Sequence, residues 1–245
     1  MIDFLCIGAQ KSGTTLLYEH LKKVDEIFLP QEKELHFFDN DQYYQRGLGS
    51  YLDNFKSAQV YQLKGEITPS YLFFDKVPMR IKQCIRKRDI KFIVLLRNPV
   101  DRAYSQYNMA YLTQEHEKFN FEQALIYESF RLKDHLDFIN YTYIQRGFYS
   151  KQILNYFKYF KKEQFKFVLY ENFVKDQSRY IKEIFNFLNI DRKIEIQTKE
   201  VFRNQYKPMK SETRYILEKV YEDEINILEN LLGIDLSIWK GNMQL

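Results

Sequence analysis

The sequence predicts an α/β fold in which a central, mainly parallel sheet is flanked by helices on both faces. Residues 3–7 and 91–96 are short apolar runs of the kind that a parallel sheet buries on both faces. A loop and then a helical pattern follow each of them, and residues 165–170 repeat the arrangement. Strands that alternate with helices are typical of a three-layer fold.

The helices are predicted from apolar spacing. The first, residues 14–23, carries Leu17 and Leu21 four residues apart. The second covers residues 100–111 and begins after Pro99, which cannot continue a central strand. The later helices have apolar stripes at Ile181, Ile184, Phe185 and Leu188, and, within residues 211–232, at Leu217, Val220, Tyr221, Leu228, Leu231 and Leu232. No repeat or change of composition divides the chain, so we expect a single domain over residues 1–245.

Composition excludes several classes of protein. The chain has 245 residues, 45% of them apolar, which is enough for a full core. A net charge of +4 is too small for a dedicated nucleic-acid binder. Cys6 and Cys84 lie in or beside apolar runs, as reduced core cysteines do. With no long apolar segment and no charged leader, we expect a cytoplasmic protein without a membrane span.

Residues 8–15, Gly-Ala-Gln-Lys-Ser-Gly-Thr-Thr, lie between the first strand and the first helix. Their backbone amides can converge on an anion at a helix N-terminus, and Lys11 adds a cation. In a standard nucleoside-triphosphate loop the lysine follows the second glycine, whereas Lys11 precedes Gly13. The next strand ends at Arg97 rather than at an aspartate for magnesium. These residues predict a phosphate-binding loop with no metal; the alternative is a tight turn before a capped helix.

Another chemical motif follows the strand at residues 91–96. Arg97 leaves the strand end, and Ser105 lies two turns into the next helix, so both can contact one phosphate from different sides. Together, the two motifs resemble those of sulfotransferases that use 3'-phosphoadenosine 5'-phosphosulfate, especially heparan-type carbohydrate enzymes and their bacterial relatives. The loop at residues 8–15 is similar to the family's 5'-phosphosulfate loop, and the stretch that begins at Arg97 is similar to its 3'-phosphate motif.

The resemblance extends from the first strand almost to the C-terminus. Residues 33–39, Lys-Glu-Leu-His-Phe-Phe-Asp, resemble the segment that carries the catalytic base. Residues 65–71 resemble the family's substrate-cleft strand and turn, and residues 146–149 resemble a helix start common in these enzymes. A final helix followed by Leu236 and Trp239 is similar to the family's C-terminal end. The resemblance implies a P-loop-like three-layer fold.

The resemblance also implies a role for individual residues. A sulfuryl group would pass from the donor to a hydroxyl or amine of a carbohydrate or small molecule, leaving adenosine 3',5'-bisphosphate. Lys11 would stabilise the leaving group and Glu34 would accept the acceptor's proton. Arg97 and Ser105 would bind the 3'-phosphate. The remaining donor-binding residues would be Gln10, Ser12, Gly13, Thr14, Thr15 and Tyr149. A sulfuryl group carries less charge than a phosphoryl group, so no metal is expected.

Several assignments stay open at the level of sequence. His36 either orients Glu34, contacts the acceptor or is itself the base; alternatively, it is a structural histidine beside two phenylalanines. Glu66 is a further base candidate or a supporting residue. Lys207 or Lys210, within residues 203–210, is expected near the donor phosphates, unless this stretch is only a charged loop that leads into a helix.

The acceptor is the least determined partner. Heparan-type enzymes commonly have a lysine where this chain has Ile67, which argues against an acidic polysaccharide. We expect residues 40–61 and 113–143, rich in Tyr, Gln and Asn, to form the acceptor cleft and its lid. Two alternatives to a sulfotransferase are a magnesium-dependent phosphoryl transferase with an unusual phosphate loop and a non-catalytic nucleotide-binding protein of the same fold.

Overall fold

A computed structural model describes residues 1–113, 116–131, 140–191, 198 and 206–240. The chain forms two compact units. The first comprises Met1–Arg97 and Leu154–Arg203, and the second comprises Asn98–Ile153 and Asn204–Leu245. Among the described residues, no helix is long and apolar enough to cross a membrane.

The first unit is built on a parallel sheet. Its five strands within the described residues lie in the order β2-β3-β1-β4-β5 and are all parallel. They are β1 (Phe4–Gly8), β2 (Ile27–Phe28), β3 (Leu63–Ile67), β4 (Lys91–Leu96) and β5 (Phe165–Leu169). The predicted bounds of β4 are confirmed; those of β1 differ by one residue at each end and those of β5 by one residue at the C-terminal end. Because every strand runs the same way, their carboxyl ends share one edge of the sheet.

Helices of the first unit cover both faces of this sheet. On one face, Phe4 and Cys6 of β1 share a buried core with Leu17 and Ile181. On the other face, the ring of Phe92 in β4 packs against those of Tyr156 and Phe160. Side chains alternate across a strand, so consecutive residues supply the two faces. The predicted three-layer α/β fold is confirmed.

Six helices lie wholly within the described part of the first unit. They are α1 (Thr14–Leu21), α2 (Asp41–Gln45), α3 (Gly47–Leu52), α4 (Val77–Cys84), α8 (Tyr170–Lys175) and α9 (Gln177–Leu188). Helix α7 (Tyr149–Phe157) has residues in both units. Single 3₁₀ turns occur at Asp53–Phe55, Pro69–Leu72 and Lys162–Gln164.

The second unit is helical where it is described, with α5 (Pro99–Asn108), α6 (Phe121–Arg131) and α10 (Ser211–Leu232). Asn98 caps α5 by accepting a hydrogen bond from the backbone N–H of Val100 at 2.9 Å. The predicted second helix is correct in place, but its hydrogen bonding changes to a π-helical pattern over Met109–Thr113.

Helix α10 has the bounds predicted from its apolar spacing. The predicted apolar stripe of α10 is wrong at Val220, which is 41% exposed. Glu224 and Ile225, which the prediction left out, lie on the buried face. Glu224 accepts hydrogen bonds from the backbone N–H and the hydroxyl of Ser150, both at 2.7 Å. A buried carboxylate with its own donors thus occupies a position that a purely apolar pattern misses.

Candidate active site

The predicted phosphate loop connects β1 to α1 at the carboxyl edge of the sheet. Lys11 and Gly13 both have left-handed backbone conformations, with φ of 68° and 87°. The loop is held to the neighbouring strand because the N–H of Ala9 donates to the carbonyl of Leu95 at 2.6 Å. Left-handed residues in a turn are typical of anion-binding nests, in which backbone N–H groups point toward a common centre.

Position 13 requires a glycine both because its φ is left-handed and because the ring of Tyr170 leaves no room for a side chain. A Cβ at this position would lie 2.8 Å from Cδ2 of Tyr170, the first residue of α8. Sequence reasoning missed Tyr170 as a site residue. The available signal was its place directly after β5, where a side chain reaches the same edge of the sheet as Arg97.

Arg97 joins this arrangement from the end of β4. Its Nη1 donates a hydrogen bond to the carbonyl oxygen of Lys11 at 3.1 Å. Its guanidinium also lies 4.7 Å from the ring centroid of Tyr170, within the range of a cation–π contact. The structure therefore brings Arg97 to the phosphate loop, as the two-motif interpretation requires.

Two side-chain atoms of the loop are buried without a hydrogen-bond partner. They are the hydroxyl of Ser12 and the Oε1 atom of Gln10. A buried polar atom without a partner carries a free-energy cost, which a ligand can relieve. A hydroxyl donor beside converging amides fits a phosphate oxygen, so these residues fit the donor that the sequence predicts. Thr14 is buried and Thr15 exposed in the first turn of α1.

The predicted base segment lies between β2 and α2. Glu34 and His36 have φ of 66° and 52°, so this stretch is neither a strand nor a helix. Nε2 of His36 lies 3.7 Å from Oε2 of Glu34, and the ammonium of Lys33 contacts the other carboxylate oxygen. The side chains of Glu34 and His36 are both more than a third exposed, so an acceptor can reach them.

His36 is oriented by a buried carboxylate. Its Nδ1 lies 3.0 Å from Oδ2 of Asp39, and the Ser70 hydroxyl donates to the same oxygen. The hydrogen bond that His36 donates to Asp39 raises the pKa of His36, against the opposing effect of partial burial. Because Nδ1 is engaged by Asp39, Nε2 is the ring atom that faces Glu34.

Glu66 lies in β3 and is buried rather than open to a ligand. Its carboxylate accepts hydrogen bonds from the hydroxyls of Tyr51, Thr68 and Tyr71 at 2.5, 2.6 and 2.7 Å. The pKa of Glu66 is raised above its ordinary value, because the effect of burial outweighs that of the three hydrogen-bond donors, which lower the pKa. The Tyr71 hydroxyl also accepts from the backbone N–H of Phe37 at 3.0 Å, which ties this cluster to the base segment. Sequence spacing gave no sign of the two tyrosines.

The second unit holds the other predicted donor residues. Ser105 is buried on α5, and Tyr149 has no exposed surface, with its ring centroid 6.3 Å from that of Trp239. Lys210 pairs with Glu122 at 3.2 Å, while the side chain of Lys207 is exposed. Residues 203–205 of the predicted basic loop lie outside the described residues. The donor contacts of all four residues stay predictions.

The comparisons with known proteins agree with this geometry. A family model for the sulfotransferase domain matches residues 1–228. The mouse (Mus musculus) heparan sulfate glucosamine 3-O-sulfotransferase 3B1 is 32% identical over 203 residues, which cover 83% of this chain and 49% of that protein. The chain spans about half the length of the curated relatives it matches.

Solved structures show the same relationship. A sulfotransferase from Alicyclobacillus acidocaldarius aligns with a TM-score of 0.86 and 28% identity, over 98% of this chain and 99% of that one. Mouse sulfotransferase SULT7A1, solved with PAP, shares the fold at 20% identity and a TM-score of 0.52, over 79% of this chain and 61% of that one. Since the family model covers most of its length and the phosphate loop and base segment lie within the match, this chain belongs to the sulfotransferase domain family.

Proposed function

We propose that the protein is an enzyme that transfers a sulfuryl group from 3'-phosphoadenosine 5'-phosphosulfate to an acceptor hydroxyl or amine. The observation that carries the proposal is the loop between β1 and α1. It combines left-handed Lys11 and Gly13 with the buried, unpartnered hydroxyl of Ser12, and it receives Arg97 from the next strand. Such a loop is suited to an anionic group at a helix N-terminus.

The donor would be held by its two phosphate-bearing ends. The loop amides and the hydroxyls of Ser12, Thr14 and Thr15 would bind the 5'-phosphate. Arg97 would bind the 3'-phosphate from the end of β4, and Ser105, on the helix that follows, is expected to share that role. A planar guanidinium fixed on the Tyr170 ring is well suited to a phosphate because its orientation is set beforehand.

The transfer is an in-line displacement at sulfur. The acceptor oxygen or nitrogen forms a bond to sulfur as the bond from sulfur to the bridging oxygen breaks, and Glu34 takes the acceptor's proton. The electron pair of the broken bond stays on the leaving adenosine 3',5'-bisphosphate, where the Lys11 ammonium neutralises the new negative charge. We propose that this cation and the loop amides suffice without a metal ion.

The roles of the three base candidates follow from their surroundings. Glu34 is accessible and lies beside two basic side chains, Lys33 and His36, so it is the proposed base. His36, held by Asp39, would orient Glu34 and the acceptor. Glu66, enclosed by three hydroxyl donors, supports the base segment through Tyr71 rather than accepting a proton from a ligand.

The acceptor class is proposed from the relatives and from this chain's own residues. The curated relatives are named for heparan sulfate glucosamine, a carbohydrate. Position 67, where heparan-type enzymes commonly place a lysine, is Ile67 here and is buried in β3. We propose a carbohydrate or small-molecule acceptor without requiring a polyanion.

The proposal is tested first by donor binding. Adenosine 3',5'-bisphosphate, added without magnesium, should raise the Tm of the protein, and no shift at a saturating concentration contradicts the donor site. Glu34→Gln should keep this shift and lose transfer of radiolabelled sulfate, whereas the exposed control Glu163→Gln should keep both. If Glu34→Gln transfers sulfate at the unaltered rate, Glu34 is not the base.

We also propose a cytoplasmic location, supported by Cys6 and Cys84, which are both free thiols. Reduced cysteines are the norm in the reducing cytoplasm. Fractionation of cells that produce the protein tests this: recovery in a membrane or secreted fraction contradicts it.

A further inference from the structure

A surface cleft lies beside the base segment in the first unit. Its volume is about 250 Å³, and residues from two neighbouring stretches line it. The lining residues are Glu32, Leu35, Phe37, Tyr43, Arg46, Ser50, Tyr51 and Asn54. Pockets for drug-sized ligands have volumes of about 300 to 1,000 Å³, so this cleft suits a smaller group, such as one sugar ring.

The cleft has an aromatic floor and a polar rim. Phe37 and Tyr51 are buried and stacked, with ring centroids 4.7 Å apart and an interplanar angle of 21°. Tyr43, on α2, is 38% exposed and adds a third ring at the rim. Ser50 and Asn54 also line the cleft. The Ser50 hydroxyl donates to the carbonyl of Gly47 at 2.8 Å and the Asn54 amide donates to that of Tyr51 at 2.9 Å, so their side-chain oxygens are the groups that can accept from a ligand. The C–H faces of a sugar pack on aromatic rings while its hydroxyls need amide and hydroxyl partners, and this cleft offers both.

The charge of the cleft is balanced. Glu32 and Arg46 are the ionisable acid and base among its lining residues, and the Arg46 guanidinium lies 4.8 Å from the ring of Tyr43. Within residues 40–62, the acids Asp41 and Asp53 match the bases Arg46 and Lys56 in number. A polyanionic glycan is attracted by a surface with a clear excess of cations. The cleft therefore matches an uncharged ligand.

The cleft is linked to the proposed chemistry through its own walls. Leu35 lies between Glu34 and His36 in the chain, and Phe37 follows them. On the opposite wall, the Tyr51 hydroxyl donates to Glu66 at 2.5 Å. A ligand in the cleft would thus rest on Leu35 and Phe37, which alternate along the chain with Glu34 and His36 in the segment that carries the proposed base.

We infer that this cleft is the acceptor subsite and that it binds an uncharged sugar ring, one hydroxyl of which receives the sulfuryl group. The inference rests on the proposed function and adds the acceptor class to it. The same bond changes apply: an oxygen–sulfur bond forms at the sugar hydroxyl, the proton passes to Glu34, and adenosine 3',5'-bisphosphate leaves.

The acceptor class is tested by transfer of radiolabelled sulfate from the donor to three probes. These are a panel of uncharged oligosaccharides of glucose, galactose, mannose and N-acetylglucosamine; heparan sulfate; and 4-nitrophenol. At least one uncharged oligosaccharide should be sulfated faster than the other two probes. Preference for heparan sulfate or for the phenol overturns the inference, as does a failure to sulfate any uncharged oligosaccharide.

The subsite is tested by a matched pair of tyrosine variants. Tyr43→Ala removes a ring at the cleft, and Tyr215→Ala removes one that is 56% exposed and does not line it. For the preferred sugar, Tyr43→Ala should raise KM about tenfold, the equivalent of losing about 1.4 kcal/mol of binding, with kcat nearly unchanged. Tyr215→Ala should leave both constants unchanged. Equal KM values for the two variants overturn the subsite.

A third variant separates this inference from the proposed function. Ser50→Trp places a large ring in the cleft and should abolish sugar binding. The Tm shift caused by adenosine 3',5'-bisphosphate reports the donor site alone and should persist in all three variants. If the donor product binds but Ser50→Trp sulfates the sugar normally, the cleft is not the acceptor subsite and the proposed function stands. If the unaltered protein shows no Tm shift, the proposed function fails.

Discussion

The guanidinium of Arg97 donates a hydrogen bond to the backbone carbonyl of Lys11 at 3.1 Å. The contact joins the end of β4 to the loop that follows β1, and the Tyr170 ring beneath Arg97 restrains the guanidinium. Arg97 thus fixes the path of the loop as well as presenting a positive charge. Its contribution to an anion site consists of geometry and charge together.

Arg97→Lys should weaken binding of adenosine 3',5'-bisphosphate by about tenfold, because lysine keeps the charge but loses the planar fork that spans Lys11 and Tyr170. Isothermal titration calorimetry of the folded protein measures the change in Kd. Arg86→Lys, at an exposed position of the same unit, is the control and should bind normally. Equal affinities for the two variants would show that Arg97 acts as a point charge or not at all.

Gly13→Ala should reduce both stability and donor affinity more than Gly47→Ala does. The two glycines have nearly the same left-handed φ, 87° and 83°, so the conformational cost of alanine is similar. Only at Gly13 would the new Cβ approach Tyr170, at 2.8 Å, whereas nothing lies within 4 Å at Gly47. We expect about 1–3 kcal/mol more destabilisation at Gly13, measured by urea unfolding. Equal losses would mean that the loop shifts away from Tyr170 at little cost.

Asp39→Asn should lower the pKa of His36, because the hydrogen bond that His36 donates to the Asp39 carboxylate is the main cause that raises it. NMR titration of the His36 ring measures the change, with the exposed Asp25→Asn as control. A His36 pKa that is unaltered in Asp39→Asn would contradict the contact.

The raised pKa of His36 also has a consequence for stability. The folded protein holds this proton more tightly than the unfolded chain, whose histidine has the ordinary value of 6.5. The resulting stabilisation is complete below pH 6.5 and is lost as the pH rises through the folded pKa. The difference in free energy of unfolding between the unaltered protein and His36→Gln should therefore shrink over that window. A difference that grows with pH would reverse the sign and contradict the assignment.

Tyr71→Phe should destabilise the protein by about 1–3 kcal/mol, since it removes a donor from the buried Glu66 carboxylate and leaves the Phe37 N–H without its partner. Transfer activity should fall further than stability alone explains, because Tyr71 holds the base segment in place. Chemical denaturation and kcat measured well below Tm separate the two effects. Tyr215→Phe, exposed and outside the cluster, should change neither stability nor kcat. If Tyr71→Phe changes them as little as Tyr215→Phe does, Tyr71 does not support the base segment.

Much of the first unit could be predicted from local sequence patterns. The run at residues 91–96 matches β4 because its side chains are buried on both faces and need no alternation. The place of the loop between β1 and α1 was predictable, and its glycine, lysine and hydroxyl residues are the types that suit an anion at a helix N-terminus. The prediction that Val220 is buried is wrong, because apolar spacing alone assigned the buried face of α10. That spacing cannot show that Glu224 is on this face, buried with Ser150 as its hydrogen-bond donor.

The sequence by itself determined the α/β class, the order of the motifs, and the identity of Lys11, Glu34, His36 and Arg97 as candidate site residues. The fold class and the candidates Lys11 and Arg97 depend on residue type and short spacing, whereas Glu34 and His36 are candidates because their segment resembles that of the sulfotransferase family. Only the tertiary structure decided that Tyr170 lies beneath Arg97, that Tyr51 and Tyr71 enclose Glu66, and that His36 faces Glu34. Such contacts join residues far apart in the chain or depend on left-handed backbone turns, and neither is encoded in a local pattern.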